Sequence, residues 1–157
     1  MAKYQSLDSK VEDIYKLLNS GLSESQNFIK FIRIPLTEQS TLRPLSEDKL
    51  RSELFHYRSS KARCKDRTAD SVEEHVVPIK VITEILLSEY EKKGSISKQF
   101  IKKVLDKLLW VVFVTEEENQ RLNDLGLKND MPDDWDWKND SPFARYEKAK
   151  IKVDWDL

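Results

Sequence analysis

The stretch that most constrains this chain runs from Trp110 to Leu122, where strand chemistry gives way to helix chemistry with no linker between. Val111, Val112, Phe113 and Val114 are β-branched or aromatic, the composition of a buried strand. Thr115 to Glu118 then reads Thr-x-x-Glu, a capping box in which each side chain accepts from the other residue's backbone N–H. The helix it starts carries Arg121 and Leu122, and Gly126 stops it. A second stretch, Ser71 to Lys80, supplies a companion strand that holds Glu74 and His75, closed by Pro78, which opens the next helix. Together these pieces are expected to make a strand, a strand and a helix, with polar side chains converging where they meet.

Around them the pattern is helical. Ser6 or Asp8 caps a first helix with Val11, Ile14, Tyr15, Leu17 and Leu18 on one face, ended by Gly21. A second starts at Ser23 and ends at Pro35, and a third runs from Ser46 with Leu50, Leu54, Phe55 and Tyr57 inward. Ile79 to Tyr90 repeats Val81, Ile82, Ile85, Leu86 and Tyr90 at helical spacing, and Gly94 ends it. Ser97 caps a further helix with an apolar face of Phe100, Ile101, Val104, Leu105, Leu108 and Leu109. Ser141 and Pro142 open a last helix through Phe143, Arg145, Tyr146 and Ala149. Ile151, Val153 and Trp155 alternate with charged residues, so a closing strand beside Val111–Val114 is expected. The expected fold class is α+β: mostly helical, with a small sheet near residues 110–114 and 151–155. A length of 157 residues suits one domain, with a helical part to about residue 57 and a site-bearing part over 58–157.

Charge and composition narrow the chemistry. Lys and Arg number 27 against 28 Asp and Glu, so any nucleic-acid contact must come from a local patch. That patch is present: Arg58, Lys61, Arg63, Lys65 and Arg67 form the densest basic run, suited to neutralising backbone phosphates. The same run also suits a solvated segment pairing with the abundant acids. With three glycines in the chain, no GxGxxG or GxxxxGK[ST] phosphate loop occurs. Cys64 is the only cysteine, which excludes an internal disulfide and a multi-cysteine zinc site. No apolar run resembles a signal peptide or spans a bilayer, so a reducing, cytoplasmic setting without a membrane partner is expected. Of the two histidines, His56 sits in a helical pattern beside Phe55 and reads as structural.

Glu74-His75-Val76-Val77-Pro78 resembles the first motif of HNH nucleases, the ββα-metal group, in which an acid, His, two apolar residues and Pro recur. Thr115 to Leu122 resembles, more loosely, that family's second strand and the helix bearing its last metal ligand. The resemblance implies a ββα-metal-like element and a hydrolase acting on DNA or RNA. His75 would be the general base on water and Glu74 the acidic metal ligand. Asn119, or Glu118 as the alternative oxygen ligand, would complete the site. Oxygen-rich ligation suits Mg²⁺ or Mn²⁺. The chain departs from the family in lacking a CxxC pair, and in placing ~30 residues of helical pattern where the family has a short loop. Glu74 and His75 equally suit a polar cap where the chain enters the Pro78 helix.

A different reading rests on residues 129–140, an irregular acidic loop docked by Trp135 and Trp137. Those rings, flanked by Asp133, Asp134, Asp136 and Asp140, suit a surface for a basic protein partner. A non-catalytic inhibitor or immunity-type protein would use such a patch. Buried rings favour the nuclease-like or structural reading, and exposed rings favour partner binding.

Overall fold

The computed structural model describes residues 7–20, 36, 57–59 and 71–155. Among these the elements are α1 (Leu7–Asn19), β1 (Tyr57–Ser59), β2 (Ser71–His75), α2 (Ile79–Lys93), α3 (Lys98–Leu108), β3 (Val111–Thr115), α4 (Glu116–Asp124), α5 (Ala144–Lys148) and β4 (Val153–Trp155). They fall into two compact units. One holds α1, α2 and α3; the other holds the four strands with α4 and α5. The helical unit is thus assembled from two separated stretches of chain. The fold is mostly helical α+β with a small sheet, and the expected sheet segments at 111–115 and 153–155 are both strands.

In the helical unit, α1 and α2 each pack on α3. Val11, Ile14 and Leu18 of α1, Ile82 and Leu86 of α2, and Ile101, Val104, Leu105 and Leu108 of α3 are buried, as their helical spacing dictates. Gly94 ends α2 at φ 71°, and Ser97 caps α3 by accepting from the Phe100 N–H at 3.1 Å. Across the unit's surface Lys98 reaches Glu12 at 2.7 Å and Lys102 reaches Asp8 at 3.6 Å.

The sheet of the second unit has the order β2-β3-β1-β4. β2 pairs antiparallel with β3 along its length, from Ser71 opposite Thr115 to His75 opposite Val111. β1 runs parallel to β3, with Arg58 opposite Phe113, and antiparallel to β4. Two expectations change here. The closing strand β4 does not lie beside β3, because β1 sits between them, and Tyr57 belongs to that strand rather than to a helix end. A three-residue strand is too short to display a period, so it leaves no pattern in the sequence. The last helix also starts later than its Ser141–Pro142 signal. Ser141 Oγ accepts from the Phe143 N–H at 3.1 Å in a turn, and α5 itself has no side-chain cap.

Candidate functional site

The strand–strand–helix segment is built from local chemistry. β3 enters α4 directly, and the capping box forms as its spacing requires. Thr115 Oγ1 accepts from the Glu118 N–H at 3.1 Å, and Glu118 Oε1 accepts from the Thr115 N–H at 3.0 Å. Gly126 ends α4 at φ 71°, with the Leu127 N–H donating back to the Leu122 carbonyl at 2.8 Å. α4 packs on both β2 and β3.

Register decides where the candidate side chains go. Strand side chains alternate, so Val72 and Glu74 share the face of Val114 and Val112, both buried, while His75 belongs to the opposite face. Glu74 and His75 therefore flank the end of β2 rather than converge along it. Pairing continues one step further, where the Val76 N–H donates to the Trp110 carbonyl at 2.9 Å. Val76, Val77 and Pro78 are buried and anchor that end. Asn119 stands half-buried one residue after the Glu118 cap. Asn123, one turn later, has a buried Oδ1 with no hydrogen-bond partner among the described residues.

The residue that organises this end carries no motif of its own in the sequence. Arg145, on α5, is 0% exposed. Its Nε donates to the Val76 carbonyl at 3.2 Å, and its Nη1 donates to the Leu127 and Lys128 carbonyls at 2.6 and 3.2 Å. Nη2 donates to the His75 carbonyl and lies 3.7 Å from Glu74 Oε1. Tyr146, buried beside it, donates its hydroxyl to the same His75 carbonyl at 3.3 Å. A second guanidinium works in the other direction, from α4 to α5: Arg121 Nη1 donates to the Ala149 carbonyl at 2.9 Å. No side-chain pattern could have flagged Arg145, because its hydrogen-bond acceptors are main-chain carbonyls.

Electrostatics follow burial. Desolvation pushes the Glu74 carboxyl above its usual range, against the opposing charges of Arg145 and Lys128. Burial likewise raises the Tyr146 phenol, keeping it a neutral hydrogen-bond donor.

Glu118, the alternative oxygen ligand, is 2% exposed, and its Oε1 accepts from the Thr115 N–H in the capping box. Glu74 and Asn119 are oxygen donors of the kind a hard divalent ion takes. The buried, unpartnered Asn123 Oδ1 adds a third oxygen on the same helix. Among the described residues no group of three or more His, Cys, Asp and Glu is arranged to hold a metal ion. Arg58 lies in β1, a strand between two others, and Lys61, Arg63, Lys65 and Arg67 lie outside the described residues, as do His56 and Cys64.

The acidic loop is tightly tied. Trp135 and Trp137 are half-buried, and the Trp135 indole N–H donates to the Ser141 carbonyl at 2.9 Å. Asp136 accepts from the Lys138 N–H at 3.1 Å, and its own N–H donates to Asp140 Oδ2 at 2.7 Å. Asp134 is exposed, at φ 66°. Both rings are thus partly covered and partly open, with Trp135 held through its indole N–H. A cleft of about 480 Å³ in the helical unit is lined by Tyr15, Asn19, Ile96 and Lys98, and no residue singled out above for nuclease chemistry touches it. Among the described residues no helix is long and apolar enough to cross a membrane. Set against models of protein families, curated proteins and solved structures, the chain matches none of them.

Proposed function

We propose that this chain is a divergent HNH-like, metal-dependent nuclease, or a degenerate relative, that acts on nucleic-acid phosphodiesters. The observation that carries the reading is the β2-β3-α4 segment. It sets His75 at the end of a strand and Asn119 on the helix packed against that strand.

His75 acts as general base, taking a proton from the water whose oxygen attacks phosphorus as the bond to the leaving oxygen breaks. Glu74 and Asn119 would hold Mg²⁺ or Mn²⁺, which when bound supplies charge stabilisation at the phosphoryl and leaving oxygens. Arg58, Lys61, Arg63, Lys65 and Arg67 neutralise phosphates flanking the scissile bond. A reducing, cytoplasmic setting accords with the lone Cys64.

The test is cleavage of plasmid DNA and structured RNA with Mg²⁺ or Mn²⁺, comparing the wild type with His75→Ala. Metal-dependent cleavage should fall by about 10²–10⁴-fold in the variant, the usual contribution of a general base. Undiminished cleavage by His75→Ala would refute the assignment of the base. A folded wild type that neither cleaves nor binds nucleic acid would overturn the reading, and so would nucleic-acid binding unaffected by charge reversal at Arg63 and Lys65.

A further inference from the structure

Burying a guanidinium is costly unless its donors are met, and around Arg145 they are met by fixed main-chain atoms. Two of those carbonyls, His75 and Val76, belong to the end of β2. Two more, Leu127 and Lys128, belong to the turn that closes α4. Glu74 Oε1, at 3.7 Å from Nη2, adds an opposite charge to the set. The fork is planar and rigid, so atoms bonded to it hold fixed positions relative to one another. A lysine would place one tetrahedral ammonium there and could not span both segments.

We infer that Arg145 is a positioning residue of the proposed nuclease site: its guanidinium fixes the His75–Val76 peptide and the Glu74 carboxylate relative to α4, the helix that carries Asn119. The catalytic half of this inference rests on the nuclease reading; the positioning half stands on the hydrogen bonds alone. Tyr146 supports the same placement by donating to the His75 carbonyl and by lying under the guanidinium at 5.4 Å.

The experiment uses the full chain, as wild type, Arg145→Lys and Tyr146→Phe, with NMR and cleavage kinetics on the same samples. In the wild type, Arg145 should give separate, slowly exchanging Nη–H resonances, because four carbonyls and a carboxylate prevent rotation. A single averaged resonance would overturn the positioning claim without any variant. In Arg145→Lys the His75 and Leu127 carbonyl ¹³C signals should move and exchange at the Val76 N–H should quicken. The Glu118 N–H, bonded to Thr115 Oγ1 within the same sheet-bearing unit, serves as the folding control and should stay protected. For cleavage, kcat should fall by about 10–100-fold, the cost of a misplaced catalytic group, with KM nearly unchanged. Tyr146→Phe should shift the His75 carbonyl signal alone and lower kcat less. Unmoved carbonyl signals overturn the inference, and so does wild-type kcat in a folded Arg145→Lys protein. If the wild type cleaves nothing, the active-nuclease reading fails and takes the catalytic half with it, while the NMR result still decides the positioning half.

Discussion

Glu118 offers the sharpest separation between a structural and a metal-binding role for one carboxylate, and the outcome depends on a single pair of hydrogen bonds. Its Oε1 accepts from the Thr115 N–H at 3.0 Å, and the reciprocal bond from the Glu118 N–H to Thr115 Oγ1 is 3.1 Å, both buried. Glu118→Ala strips the Thr115 N–H of its acceptor, at a cost of about 1–3 kcal/mol for a buried donor left unmet. It also removes a negative charge from the first turn of α4, about 0.3–1 kcal/mol more. Glu118→Gln keeps an acceptor oxygen in the same place and loses only the charge, so about 0.3–1 kcal/mol is expected. Thr115→Ala should cost about 1–2 kcal/mol, and the double alanine variant less than the sum because both bonds close one turn. All four tryptophans lie in the segments that form the sheet-bearing unit, so urea unfolding followed by their fluorescence reports on that unit. Amide exchange at Thr115 and Glu118 localises the loss. If Glu118→Gln is as damaging as Glu118→Ala, or if Glu118→Ala costs nothing measurable, the capping account is wrong.

Two further outcomes follow from the same unit. Burial raises the Glu74 carboxyl above its usual 4.5, so the folded chain holds that proton more tightly than the unfolded one. The contribution of Glu74 to stability should therefore decline as pH rises from 4.5 through its elevated folded value, and then level off. Between pH 4.5 and 7 the wild type should lose stability relative to Glu74→Gln in matched urea titrations; a gain would contradict the sign. At the end of α5, Lys150 adopts φ 56°, with its N–H donating to the Glu147 carbonyl at 3.1 Å and the Ile151 N–H to Tyr146 at 2.8 Å. The left-handed conformation costs a non-glycine residue roughly 1–2 kcal/mol and glycine's extra chain entropy offsets about 0.5–1 of the gain, so Lys150→Gly should stabilise by about 0–1.5 kcal/mol. A lowered urea midpoint would show that the Lys150 side chain contributes more than its backbone costs.

What was legible in the sequence was what short-range chemistry writes there. The Thr115–Glu118 box, the Ser97 cap, and the stops at Gly94 and Gly126 each depend on residues a few positions apart, and each forms. The grouping of the 71–80 and 110–122 stretches into a strand, a strand and a helix holds, with β2 and β3 paired although α2 and α3 separate them in the chain. β1 was not legible, because its place is set by partners on both sides rather than by its own three residues. The opposite faces of Glu74 and His75 follow from strand alternation once β2 is assigned. Arg145 was out of reach for a different reason: carbonyl acceptors belong to every residue and so mark none.

The bonds of Arg145 also set an order of events during synthesis. Its guanidinium reaches carbonyls 69 and 70 positions earlier in the chain. At roughly 5–20 residues per second, the end of β2 is synthesised some 4–14 s before the residue that ties it down exists. During that interval β2 waits first for β3 and then for α5, a strand with open edges and an unheld terminus. α4 and its cap, by contrast, need only neighbours already made. A nascent chain halted before Ala144 would thus present a finished helix start beside an unfinished strand end, a natural handle for a chaperone or a protease.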